Sequence, residues 1–282
     1  MSASPDNLFA HEHLTVIEPP HGWRMLDWRE LWAYRELLWV LASRDVRVRY
    51  KEAVLGAAWA VIRPLTTMVI FSVIFGAFAH IPSDGLPYPV FVFAALLPWT
   101  FFSSAVATSG QSLVGSSNLV SKVYFPRLII PLASCGAAFV DFVVSTAILL
   151  AMMAWYGVGW TSHLLAAPLL VIALLIATLG VGTLLAALTV AYRDFTHLTP
   201  FILQVWMYVT PVIFPVTVVP PQWRWLLLLN PMTGVADGFR SVFLARPFDI
   251  HAIGISMLMS AAVFAVGIAY FEKVERRFAD IL

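Results

Sequence analysis

A chain that hydrolyses a nucleotide through a phosphate-binding loop needs Gly-Lys followed by Ser or Thr. The three lysines here, Lys51, Lys122 and Lys273, follow Tyr50, Ser121 and Glu272, so that route is closed. A membrane acyltransferase would place a histidine or similar base inside an apolar stretch. His80, His163, His197 and His251 instead fall at the edges of such stretches. No group of Cys, His, Asp and Glu has metal-ligand spacing, so no metal is expected. Cys135 is alone and cannot form an intrachain disulfide; its apolar setting suits a small buried side chain. Two kinds of residue remain that could act on a ligand. Arg63 and Asp141 are charges within apolar runs, and Trp99, Phe101, Phe102, Trp206 and Tyr208, with Gln204 nearby, offer flat rings and an amide.

The elements that hold these residues must lie in a membrane. Of 282 residues, 60% are hydrophobic and 12% charged, with a mean hydropathy of +0.84, which leaves too little polar surface to cover a soluble domain. The same balance, with a net charge of +1, excludes a disordered chain, a disulfide scaffold and a nucleic-acid binder. Six stretches reach the roughly 20 apolar residues of a bilayer-crossing helix. They lie within residues 54–79, 88–109, 128–156, 164–191, 198–219 and 251–271. The expected fold is therefore an all-α integral membrane protein with six transmembrane helices.

Basic residues orient it. With an even number of spans, thirteen of the 17 lysines and arginines fall on the side of the termini and three, Arg224, Arg240 and Arg246, on the other. The positive-inside rule then puts both termini in the cytoplasm. No cleavable signal peptide is expected, because acidic and basic residues are scattered through the first fifty. Residues 27–53 read as an amphipathic interfacial helix and basic linker, with Trp28, Leu31, Trp32, Tyr34, Leu38, Trp39 and Leu41 on one arc. Residues 1–26 form a cytoplasmic segment, 54–272 the six-span domain and 273–282 a cytoplasmic tail. Within the six-span domain, residues 220–249 are external and apolar in pieces too short to cross. Two short re-entrant helices hinged at Asn230-Pro231 fit them, with helices lying flat on the surface as the alternative.

Arg63 must lie inside the first span. Were the span to begin after it, sixteen residues would remain before His80, about 24 Å of helix against a hydrocarbon core of roughly 30 Å. Asp141 enters the third span from the same side. An intramembrane charge is expected to pair, to snorkel or to face water, and the sequence leaves open whether Arg63 snorkels or pairs with Asp141. Pro200, Pro211 and Pro215 interrupt the fifth span and free backbone carbonyls that need partners or water. Gly180 and Gly182 permit close packing of the fourth.

Several stretches in order carry a family resemblance: RDVRVRYKEAVLGAAWAVIRP at 44–64, LPWTFFS at 97–103, NLVSKVYFPRLIIPLA at 118–133, YVTPVIFP at 208–215 and NPMTGVADGFRSVFL at 230–244. From about Asp27 onward the chain resembles the membrane subunit of ABC-type polysaccharide exporters, which move lipid-linked O-antigens, capsular polysaccharides and teichoic acids. The resemblance implies an inner-membrane homodimer working with two copies of a cytoplasmic ATP-binding subunit that carries ATP and Mg, with no cofactor bound by this chain. It also implies a third role for Arg63, attracting the pyrophosphate of a polyprenyl-linked substrate by guanidinium forks onto its oxygens. The aromatic residues and Gln204 become candidates for a sugar path. Lys122, Tyr124, Phe125, Arg127, Arg193 and Asp194 become candidates for ATPase coupling, against plain anchoring. A small-molecule exporter of the same architecture and a membrane-embedded glycolipid-processing enzyme are the competing readings.

Overall fold

The computed structural model describes residues 28–51, 56, 58–159, 161–275 and 278. The segment 1–26, Trp160 and most of the tail beyond Glu275 lie outside the described residues, as do the expectations for them. Two amphipathic helices come first, α1 (Trp28–Ala33) and α2 (Arg35–Lys51). Next is α3 (Ala58–Phe71), which continues as a π-helix over Ser72–Phe78. Then follow α4 (Tyr88–Gly115), the short α5 (Ser117–Lys122), α6 (Ile129–Trp155), α7 (Ala167–Ala191) and α8 (Phe195–Val209). The chain ends with the short α9 (Arg224–Leu228), α10 (Pro231–Phe243) and α11 (Ile250–Glu275).

Five of these helical stretches are long and apolar enough to cross a membrane, and the protein is a multi-pass membrane protein. At the centre is α4, with an unbroken buried run from Val90 to Trp99. Its 28 residues make about 42 Å of helix, so one end projects beyond the hydrocarbon core. Packed against it, α7 and α11 approach each other at backbone distance. A Cβ on Gly180 would lie 2.6 Å from the Phe264 Cα, and one on Gly267 would lie 2.4 Å from the Gly180 carbonyl oxygen. Small residues set that distance because lipid supplies no hydrophobic force to pull two helices together.

The fifth expected span differs from its expectation of one continuous helix. Helix α8 has 15 residues, about 22 Å, and stops at Thr210. It is not among the five candidate spans. Beyond it the chain is irregular and reaches the α4 terminus, where the Tyr88 hydroxyl donates to the Ile213 carbonyl at 2.8 Å. Pro211 and Pro215 flank this stretch, and the carbonyls they leave free find a partner in Arg240. Its guanidinium donates to the carbonyls of Pro211 and Val212, both at 2.7 Å, and more weakly to those of Phe214 and Phe91, while it stacks 3.9 Å from the Phe91 ring centroid. Arg240 is fully buried.

Segment 220–249 holds two short helices that meet at Asn230-Pro231. Asn230 caps α10 by accepting from the Met232 amide at 3.0 Å, with Pro231 in the first helical position. Helix α10 is buried among α4, α7 and α11 rather than lying on the surface. All three basic residues counted as external are committed to protein contacts: Arg224 to the carbonyls of Val219 and Thr217, Arg240 as above, and Arg246 to Asp84 at 2.5 Å and Asp237 at 3.7 Å.

The arc expected on the N-terminal helix splits in two. Leu31, Tyr34, Leu38 and Leu41 face the protein together with Leu37, whereas Trp32 and Trp39 stand on the opposite side, 71% and 72% exposed. Trp32 and Trp39 are seven residues apart, two helical turns, so they share one stripe, displaced from the stripe that Leu31 and Leu38 share. Helix α2 runs along α6, with Ala42 against Gly136 and Arg49 reaching Asp141.

Candidate functional site

Between α2, α3, α4 and α6, toward the side that carries Lys122 and Arg193, lies an open cavity of about 820 Å³ lined by the first turns of α3 and by the middle of α4 and α6. Its polar side is a knot of side chains from three elements. Arg49 of α2 pairs with Asp141 of α6 at 2.9 Å and donates to the Ser104 hydroxyl of α4 at 3.2 Å. The Tyr50 hydroxyl donates to the other Asp141 oxygen at 2.5 Å. Ser104 is sixteen residues from Tyr88 and eleven from Gly115, so the knot meets α4 near its middle.

Arg63 lines the same cavity from α3 and stacks over the Trp59 indole at 5.8 Å. Helix α3 starts at Ala58, so Arg63 lies one to two turns into the span. The pairing of Arg63 with Asp141 is not what forms: Asp141 is held by Arg49 and Tyr50, and among the described residues Arg63 makes no ion pair. Arg49 was legible in the sequence only as one of a basic cluster ahead of the first span. Among the described residues, Thr66, Thr67, Thr100 and Ser103, the rings of Phe101 and Phe142, and apolar Ile62 and Pro64 also line it.

The other residues read as a sugar path divide by position. Trp99 and Phe102 are buried in the core at 3% and 0% exposure; they touch each other, and Phe102 meets Trp206 edge to face at 5.2 Å. They support α8 from behind and present no surface. Trp206 is half-buried and donates to Asn230, whose amide donates to Thr210, tying α8 to the start of α10. Gln204 and Tyr208 lie on the exposed face of α8 together with Phe201 and Val205.

The connection between α4 and α6 also divides. Lys122 and Tyr124 are exposed. Phe125 is 4% exposed and packs under the loop, and Arg127 holds the loop to the end of α11 through the Glu275 carbonyl and carboxylate. Phe125 and Arg127 are therefore anchors. Arg193 and Asp194 sit exposed in the turn before α8.

A bundle of apolar, membrane-spanning helices with a cavity that holds Arg49 and Arg63 is the architecture of a membrane transport protein, and residues 36–244 match the model of the ABC-2 type transporter family, to which the chain belongs. Among its relatives is the O-antigen export system permease protein RfbA of Klebsiella pneumoniae, 27% identical over 88% of this chain and 95% of that protein. The protein of the same name in Myxococcus xanthus is 28% identical over 89% of this chain and 97% of its own. The polysialic acid transport protein KpsM of Escherichia coli is 25% identical over 70% of this chain and 77% of its own.

Proposed function

We propose that this chain is the permease subunit of an ATP-driven exporter that carries lipid-linked polysaccharide across the cytoplasmic membrane, with the basic end and both termini in the cytoplasm. The observation that carries the reading is the cavity at that end. Two guanidinium groups, Arg49 and Arg63, stand in a pocket that also holds an indole and a set of hydroxyls. Guanidinium forks suit phosphate oxygens, and hydroxyls and rings suit the first sugars. The names of the relatives point to the same substrate class. A cytoplasmic ATP-binding partner, in two copies, supplies ATP hydrolysis, and this chain binds no cofactor.

The working unit is a homodimer. Only 11% of the apolar window of α3 is buried within the subunit, and α8 exposes Phe201, Val205 and Tyr208 in a row. A second copy covers these faces and encloses a path for the glycan, to which Gln204 and Tyr208 contribute. Exposed Lys122 and Tyr124, with Arg193 and Asp194, contact the ATPase. In cells that display the glycan, Arg63→Gln is expected to lower surface glycan about tenfold while protein in the membrane stays constant. Normal display at normal protein levels contradicts the reading.

A further inference from the structure

Within the cavity, the two arginines are held differently. Arg63 leans on an indole, whereas Arg49 is satisfied by a carboxylate and a hydroxyl. The carboxylate has a second support, the Tyr50 hydroxyl on its other oxygen. Arg49 and Asp141 keep 28% and 31% of their side-chain surface open, so an anion entering the cavity reaches the pair. Carboxylate and phosphate oxygens make the same bidentate fit to a guanidinium and compete for it.

We propose that Asp141 is a resident counter-ion: a lipid diphosphate entering the cavity displaces it from Arg49 and is gripped by Arg49 and Arg63 together, and Asp141 recaptures Arg49 when the head group leaves. This rests on the reading of the cavity as the entry for a lipid diphosphate. A transport site must bind well enough to load and weakly enough to release. Two unopposed arginines in one cavity would hold a diphosphate too tightly to pass it on. Asp141 lowers that affinity, and Tyr50 supports the displaced carboxylate, which otherwise stands unpartnered near hydrocarbon.

The arrangement predicts opposite signs for two neighbours. Asp141→Asn removes the competitor, so it is expected to tighten binding and slow export. Tyr50→Phe leaves the ion pair but removes the support for the displaced carboxylate, so it weakens binding. A knot with only a structural role moves both in the same direction, together with thermal stability. The measurement is binding of a labelled short-chain polyprenyl diphosphate to the purified full chain with its ATPase partner in nanodiscs.

Expected are about fivefold or more tighter binding for Asp141→Asn, weaker binding for Tyr50→Phe, and about tenfold weaker binding for Arg63→Gln. Arg63→Gln weakening without the opposed pair of effects overturns the counter-ion and leaves the cavity reading standing. Binding unchanged by Arg63→Gln overturns both. Inorganic pyrophosphate and the polyprenyl alcohol are run as competitors at equal concentration. Full competition by the first assigns the site to a free anion and by the second to the lipid chain, and either overturns the lipid-diphosphate assignment. If Asp141→Asn fails to fold, Tyr50→Phe decides: unchanged or tighter binding overturns the proposal.

Discussion

At the scale of single residues, burial separates groups that the sequence leaves alike. Phe125 and Tyr124 are adjacent aromatics in one loop, yet Tyr124 is 67% exposed and Phe125 is 4%. Phe125→Ala is expected to cost about 3–5 kcal/mol through the cavity it leaves, so any loss of export it causes reports folding. Tyr124→Ala should change stability by no more than about 0.5 kcal/mol. If the loop couples to the ATPase, it lowers glycan exported per ATP hydrolysed; unchanged coupling in Tyr124→Ala assigns the loop to anchoring. Arg63 was legible from span length alone. Arg240 was not, because it counts among external charges until the carbonyls around it are seen. The signal was present in two pieces: three prolines that free carbonyls in 200–215, and an arginine flanked by Phe239, Val242 and Phe243.

Among the elements, long apolar helices were read from hydropathy with boundaries within a few residues, except that α4 runs on to Gly115. Hydropathy averages over a window and cannot tell a continuous helix from one broken near its end, which is why it carries the fifth expected span through Thr210 to Val219 while α8 ends at Val209. The join between α8 and α10, made by Trp206, Asn230, Thr210 and Arg240, is likewise a product of three-dimensional contact. The α7–α11 crossing gives a direct test of close packing. Gly267→Ala drives a methyl to 2.4 Å from the Gly180 carbonyl oxygen and is expected to cost about 1–3 kcal/mol. Gly254→Ala, on the same helix, meets nothing within 4 Å and should be neutral or slightly stabilising. Thermal unfolding in detergent distinguishes them, and equal midpoints would contradict the packing described.

Across the whole molecule, few charges are present and their positions carry most of the functional information. Basic residues mark one end, the three at the other end are bound to carbonyls or carboxylates, and Arg49 and Arg63 share a cavity near the basic face. Composition made the chain a membrane protein, and the order of its motifs pointed to its family. The partner of Asp141 was hidden because Arg49 and Asp141 are 92 residues apart and on elements whose contact no hydropathy pattern records. The central claim is that this chain and an ATPase together move a lipid-linked glycan. Reconstitution into vesicles with the ATP-binding partner and a lipid-linked glycan tests it most directly, by the appearance of glycan in the lumen. Inside-out vesicles should accumulate glycan only with hydrolysable ATP and should lose about nine-tenths of that accumulation with Arg63→Gln. Accumulation without ATP, or chemical conversion of the lipid-linked glycan by this chain alone, would contradict the account.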